Sequence, residues 1–199
     1  MNDLPYGVSF WLWPIWIWFS AAAVAVVAAV VWGVILWRRV QARRRLEDTI
    51  SSIAYEELRN VLVPNGMGGE IHLNYLLLTE RGLLVIDLFD LPGAIFSGDQ
   101  MIEWTAIGRK RRFTFPNPQH LLYDRMAAVK LLAEDVPVDG RIVFALRSEF
   151  PKGKTRYVLR IDELTREYPL VDRTRGNIAA AFADVWQNVK KNSRPNPLN

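Results

Sequence analysis

Apolar positions in this chain form one long uncharged block and then a series of short periodic stretches, and each predicts its own element. Residues 10–37 carry no charged side chain, and the 24 residues from 14 to 37 hold Ser20 as their only hydroxyl. At about 1.5 Å per helical residue this block reaches roughly 36 Å, enough to cross a hydrocarbon layer of about 30 Å. Trp11, Trp13, Trp16 and Trp18 crowd one end and Trp32 and Trp37 mark the other, where indole rings settle at water boundaries. A transmembrane helix is predicted over 10–37, with 1–9 as a short extracytoplasmic segment.

Beyond the block the period changes. Leu46, Ile50, Ile53, Ala54, Leu58 and Leu62 recur at three- and four-residue steps and predict an amphipathic helix ended by Pro64, Asn65 and Gly66. Residues 71–79 and 83–89, separated by Glu80, Arg81 and Gly82, predict an antiparallel hairpin. The unbroken apolar run 83–86 places its second strand at the centre of a sheet, covered on both faces. A further extended pair is expected at 94–96 and 101–107. Asn117 and Pro118 open a predicted helix to about Glu134, with Leu122, Met126, Val129 and Leu132 or Ala133 inward. Strands at 141–146 and 157–161, a helical turn at Asp162, Glu163 and Leu164, and a helix over 177–189 complete the series; residues 192–199 are expected to be a flexible tail. The predicted fold class is α/β: an N-terminal transmembrane helix followed by a mixed β-sheet flanked by helices, with the main domain at 46–191.

Charge changes this picture in one place. The net charge of +4 suggests a nucleic-acid partner until it is located. Arg38, Arg39, Arg43, Arg44 and Arg45 follow the apolar block in a basic juxtamembrane segment, 38–45, and Asp3 is the one acid before it; the rest of the chain balances at 20 basic against 20 acidic residues. An arginine excess flanking a span marks its cytoplasmic side. The expectation is a single-pass protein of the plasma (inner) membrane, N-terminus outside and main domain cytoplasmic. Attraction of these arginines to anionic headgroups is compatible with that orientation.

With no Cys, thiolate zinc sites and cysteine nucleophiles are excluded, and His72 and His120 alone leave little room for a multi-histidine cage. No Gly-x-Ser-x-Gly, phosphate-binding Gly-x-x-x-x-Gly-Lys or dinucleotide fingerprint is present. Neither histidine has an evident sequence partner, and surface exposure is expected for both.

Gly93-Ala94-Ile95-Phe96-Ser97-Gly98, then Trp104, then Asn117-Pro118, behind a strand hairpin, resemble the nuclease-related domain, NERD, from about Leu46 to Ala133. The resemblance implies a restriction-endonuclease-like fold with an Asp…Glu-x-Lys site. Such a site needs two acids and an ammonium on one sheet surface, because hydrolysis of a phosphodiester uses a divalent cation held by carboxylate oxygens. A residue two positions along a strand shares its neighbour's face. The resemblance aligns Asn74 with the Asp, Asp87 with the Glu and Phe89 with the Lys, so one of three keeps its charge. Asp87, the candidate metal ligand, follows four apolar residues; it is either a partly buried site acid with a raised pKa or an acceptor at a strand end. Glu47, Glu56 and Glu57 compete for the acid that the family places on its first helix. The family's Gln after Asn-Pro is displaced to Gln119. Arg109, Lys110, Arg111 and Arg112 form either a solvated turn or a phosphate-binding patch.

The expected function is a membrane-anchored nuclease-related protein that has lost hydrolysis and acts as a binding or scaffolding module, touching nucleic acid or another protein, with no cofactor. An active Mg²⁺-dependent nuclease with a rearranged site, and a structural or assembly protein without nucleic-acid contact, are the alternatives.

Overall fold

The computed structural model describes residues 15–108, 111–172 and 181–197. It divides into two units, residues 1–45 and residues 46–199. Helix α1, Ile15–Ser52, supplies the described part of the first unit. Its stretch from Ala22 to Ser52 is long and apolar enough to cross a membrane. Phe19, Val24, Val30, Trp32 and Trp37 are exposed along it. Residues 1–14, with Trp11 and Trp13, lie outside the described residues.

The second unit is built on a six-stranded mixed sheet in the order β10-β1-β2-β3-β7-β9. Its strands are β1 (Glu56–Pro64), β2 (Glu70–Thr79), β3 (Gly82–Phe89), β7 (Val138–Phe144), β9 (Val158–Arg160) and β10 (Arg194–Pro195). A four-stranded sheet of β4 (Gly93–Phe96), β5 (Glu103–Ile107), β6 (Arg112–Pro116) and β8 (Ser148–Glu149) runs in the order β6-β5-β4-β8. Helices α2 (Pro118–Ala133), α3 (Ile161–Glu167) and α4 (Ala183–Asn192) complete the unit.

β3 is central, antiparallel to β2 and parallel to β7. Leu83, Leu84, Val85 and Ile86 are all buried because both faces are covered, which explains why this strand reads as a continuous apolar run. On one face lies the larger core, where Leu83 and Val85 meet Leu122 and Val129 of α2, Trp104 and Ile95 of the smaller sheet, and Trp186 of α4. On the other, Leu84 and Ile86 meet Ile50 and Ile53 from the end of α1 and Leu164 of α3. The tight turn before β3 requires Gly82: φ is +114°, and a Cβ there would stand 2.4 Å from the carbonyl oxygen of Pro137.

The helix expected from Leu46 to Leu62 is corrected. Helix α1 continues to Ser52, and the chain then turns into β1. The expected stripe reached Leu62 because the four-residue step from Leu58 fits a helix and a regular strand alike; between the two stands Asn60, whose φ of +51° is left-handed. Strand alternation reverses there, so Leu58 and Val61, three residues apart, both join the same core. Leu73 and Leu76 on the paired strand do the same. At the other end of the chain, Arg194 and Pro195 pair with Leu62 and Val61, so part of the expected tail is an edge strand. Of the expected helix over 177–189, residues 177–180 lie outside the described residues and α4 supplies 183–189, with Trp186 and Val189 buried.

Candidate functional site

The Gly-x-Ile-x-x-Gly, Trp and Asn-Pro residues form one folding unit. Ile95 and Trp104 are fully buried. Trp104 Nε1 donates to the carbonyl of Gly98 at 3.1 Å. Asn117 caps α2: its Oδ1 accepts from the backbone N–H of Gln119 at 3.0 Å, and its Nδ2 donates to the carbonyl of Met101 at 2.8 Å. Pro118 stands at the start of the helix, where its missing N–H costs nothing. Gln119 is buried and donates to Asp99 Oδ1 at 2.9 Å, while its own Oε1 has no hydrogen-bond partner. These contacts hold the start of α2 against residues 99–101, and the inner face of the helix packs over β3.

What α2 presents is Arg125. Asp87, on β3, is fully buried. Arg125 Nη1 donates to Asp87 Oδ2, and Arg125 Nε donates to the carbonyl oxygen of His72 on β2 at 2.6 Å. The guanidinium thus bridges two adjacent strands from above. Asp87 Oδ1 is buried without a partner. Burial pushes the Asp87 carboxyl above the usual carboxylate range, and the Arg125 charge offsets part of that rise. His72 is held below its usual value by burial and by the positive charge of Arg125. His72 Nε2 is hydrogen-bonded to Asn60 Oδ1, so the expectation of a partnerless histidine is corrected; His120 is exposed.

The other sequence candidates fall around this pair. Tyr75 and Ile86 are paired across β2 and β3, and Asn74 and Asp87 are the next positions along the two strands. Phe89, two residues beyond Asp87, packs into the same core as α2. Its ring stacks on Phe144 at 5.4 Å between centroids and lies 6.2 Å from Phe115. An aromatic cluster therefore fills the position that the resemblance gives to an ammonium.

Glu47 and Glu57 both pair with Arg59, which lies over the ring of Tyr75 and so belongs to the opposite sheet face, against the end of α1. Glu56 accepts from Trp186 Nε1 at 2.9 Å and from Lys190, tying α4 to β1; the Lys190 and Trp186 hydrogen bonds hold its carboxyl below the usual range. None of the three is brought to Asp87. Arg111 and Arg112 are exposed at the β5–β6 turn, where the Gly108 N–H donates to the Arg111 carbonyl at 2.9 Å; Arg109 and Lys110 lie outside the described residues. Arg38, Arg44 and Arg45 are exposed on α1, as is Arg43; the side chain of Arg39 lies outside the described residues.

Sequence reading missed Arg125. It sits at i+3 from Leu122 and i−4 from Val129, positions that continue the buried stripe, and a basic residue on the apolar stripe of a helix was the available signal.

The family model of the nuclease-related domain matches residues 38–145, more than half of the 199-residue chain. The chain belongs to the NERD family. An uncharacterized protein of Bacillus anthracis is 22% identical to this NERD chain over 128 residues, covering 62% of the chain and 60% of that protein. The chain therefore spans about three fifths of that relative's length. No solved structure matches it.

A divalent cation at a nuclease site is held by converging carboxylates. Among the described residues, no three His, Asp or Glu side chains converge in a way that could hold a metal ion. Asp87 is one carboxylate with a guanidinium already on Oδ2. With Arg125 on Oδ2, the described donors around Asp87 do not fit that cation as they stand.

Proposed function

We propose that this NERD-family chain is a single-pass protein of the plasma membrane, N-terminus outside, whose nuclease-related domain serves on the cytoplasmic side as a binding or scaffolding module without hydrolytic power. The observation that carries the loss of hydrolysis is the Asp87–Arg125 pair: the acid aligned with the family's Glu is neutralised by an internal cation, and Phe89 replaces the ammonium. Neither a polarised phosphate nor an activated water follows from one neutralised carboxylate. The anchoring rests on the apolar length of α1 and on the five arginines after it. Arg109, Lys110, Arg111 and Arg112 would supply the contact to nucleic-acid phosphates, since the remainder of the domain has no positive excess.

The full chain in lipid nanodiscs, incubated with labelled single- and double-stranded DNA and RNA and with Mg²⁺ or Mn²⁺, tests this reading. Binding without cutting, weakened by salt and by Arg111→Ala with Arg112→Ala, is expected. Cutting that is abolished by Asp87→Ala would overturn the loss of hydrolysis, and absence of binding would overturn the nucleic-acid contact. Orientation can be read directly because the chain has no Cys: a single cysteine introduced at Asn2 should react with a membrane-impermeant maleimide in intact cells, and one introduced at Asn196 should not.

A further inference from the structure

Arg125 engages two oxygens of the kind a hard cation uses. One is a carboxylate oxygen of Asp87 and the other is the backbone carbonyl of His72, on neighbouring strands. A third, Asp87 Oδ1, is buried beside them with no partner. Carboxylate and carbonyl oxygens are the ligands of Mg²⁺, Mn²⁺ and Ca²⁺. The guanidinium therefore stands on the oxygens a metal ion would need, and its own charge repels a second cation in a poorly solvated site.

We propose that Arg125 is a built-in counter-cation that keeps divalent metal ions off Asp87, and that the site opens to such an ion when Arg125 is shortened. The proposal deepens the reading of lost hydrolysis and rests on it only for the position of the site. Arg125 keeps 8% of its surface exposed, so the space it fills beside Asp87 is not wholly sealed from solvent, and shortening the side chain frees volume next to the carboxylate. A lysine at 125 keeps the charge and would keep the ion out; an alanine removes both charge and volume.

The test is a Mn²⁺ titration of the full chain in nanodiscs, following the electron paramagnetic resonance signal of free Mn²⁺, for wild type, Arg125→Ala, Arg125→Lys, and Arg125→Ala combined with Asp87→Asn. Arg125→Ala is expected to gain one site at least roughly tenfold tighter than any in wild type, as a counter-ion worth about 1.4 kcal/mol would give. Arg125→Lys and the double variant should match wild type. An Asp87-dependent Mn²⁺ site in wild type, or no new site in Arg125→Ala, overturns the proposal. Should Arg125→Ala unfold without metal, recovery of the near-ultraviolet signal of the buried Trp104 on adding Mn²⁺ supports the proposal and failure to recover overturns it. Cation exclusion and lost hydrolysis are distinguishable: an Arg125→Ala chain that takes up no Mn²⁺ overturns the exclusion and leaves the nuclease result untouched, whereas wild-type cutting that survives Asp87→Ala overturns the loss of hydrolysis and leaves the titration as it stands.

Discussion

Arg125 on α2 and Asp87 on β3 form an ion pair whose carboxylate is fully buried and whose guanidinium also holds the carbonyl of His72, 2.6 Å from Nε. Taking two charges out of water costs several kcal/mol each, and the pair recovers this only through its mutual attraction and the added hydrogen bond. Removing one partner strands the other.

Arg125→Met and Asp87→Leu should each destabilise the domain by about 3–5 kcal/mol, because each leaves an uncompensated charge in the core. Their combination should cost clearly less than the two together, since no charge then remains. Thermal unfolding of the four proteins, followed by circular dichroism, gives the coupling; simple additivity would show that the pair is not an energetic unit.

His72 sets an acid limb to stability. Its pKa is lowered in the folded domain, so its contribution is fully present above the usual histidine value of 6.5 and is lost as pH falls from there through the folded pKa. Asp87 works in the opposite sense: its pKa is raised, so its contribution is present below the unfolded carboxylate value and is lost as pH rises through the folded pKa. His72→Gln should remove the decline that begins near pH 6.5 while leaving the Asp87 component, as melting temperatures across pH 4–8 would reveal. A variant with an unchanged profile would mean that His72 does not titrate in this window.

Asn60 should tolerate glycine and resist β-branched residues. Left-handed backbone costs an L-residue roughly 1–2 kcal/mol, and valine more than asparagine, whereas glycine is free of it. Asn60→Val is therefore expected to lose stability well beyond Asn60→Gly, although both lose the contact to His72. Equal losses in chemical unfolding would place the importance of Asn60 in its side chain alone.

Asn117→Ala removes a helix cap and leaves the Met101 carbonyl without its donor, for an expected loss of about 1–2 kcal/mol. Asn117→Asp keeps the cap acceptor but not the donor, so its loss should fall between wild type and alanine. Amide exchange in the first turn of α2 reports the cap separately from global stability.

Phe89→Lys should cost more than Phe89→Leu by a few kcal/mol, because an ammonium placed among Phe115 and Phe144 loses its water without gaining a partner. Comparable unfolding midpoints for the two variants would imply that the lysine head escapes to solvent.

By itself the sequence determined whatever depends on local period and local chemistry. The long uncharged block gave α1, the apolar run 83–86 gave a central strand, Asn117-Pro118 gave the start of α2, and the Gly93–Gly98, Trp104 and Asn-Pro pattern led to the NERD family. These signals survive because each is written within one turn or one strand. The break between α1 and β1 was hidden, since the four-residue step from Leu58 to Leu62 suits a helical stripe as well as a strand. Only the tertiary structure decided the state of the site. Asp87 and Arg125 are 38 residues apart in sequence, and whether a buried carboxylate meets a metal, a lysine or an arginine is set by which side chain the capped helix lowers onto β3. No local pattern carries that choice, because a charge is neutralised by proximity in space, and proximity in space is what packing creates.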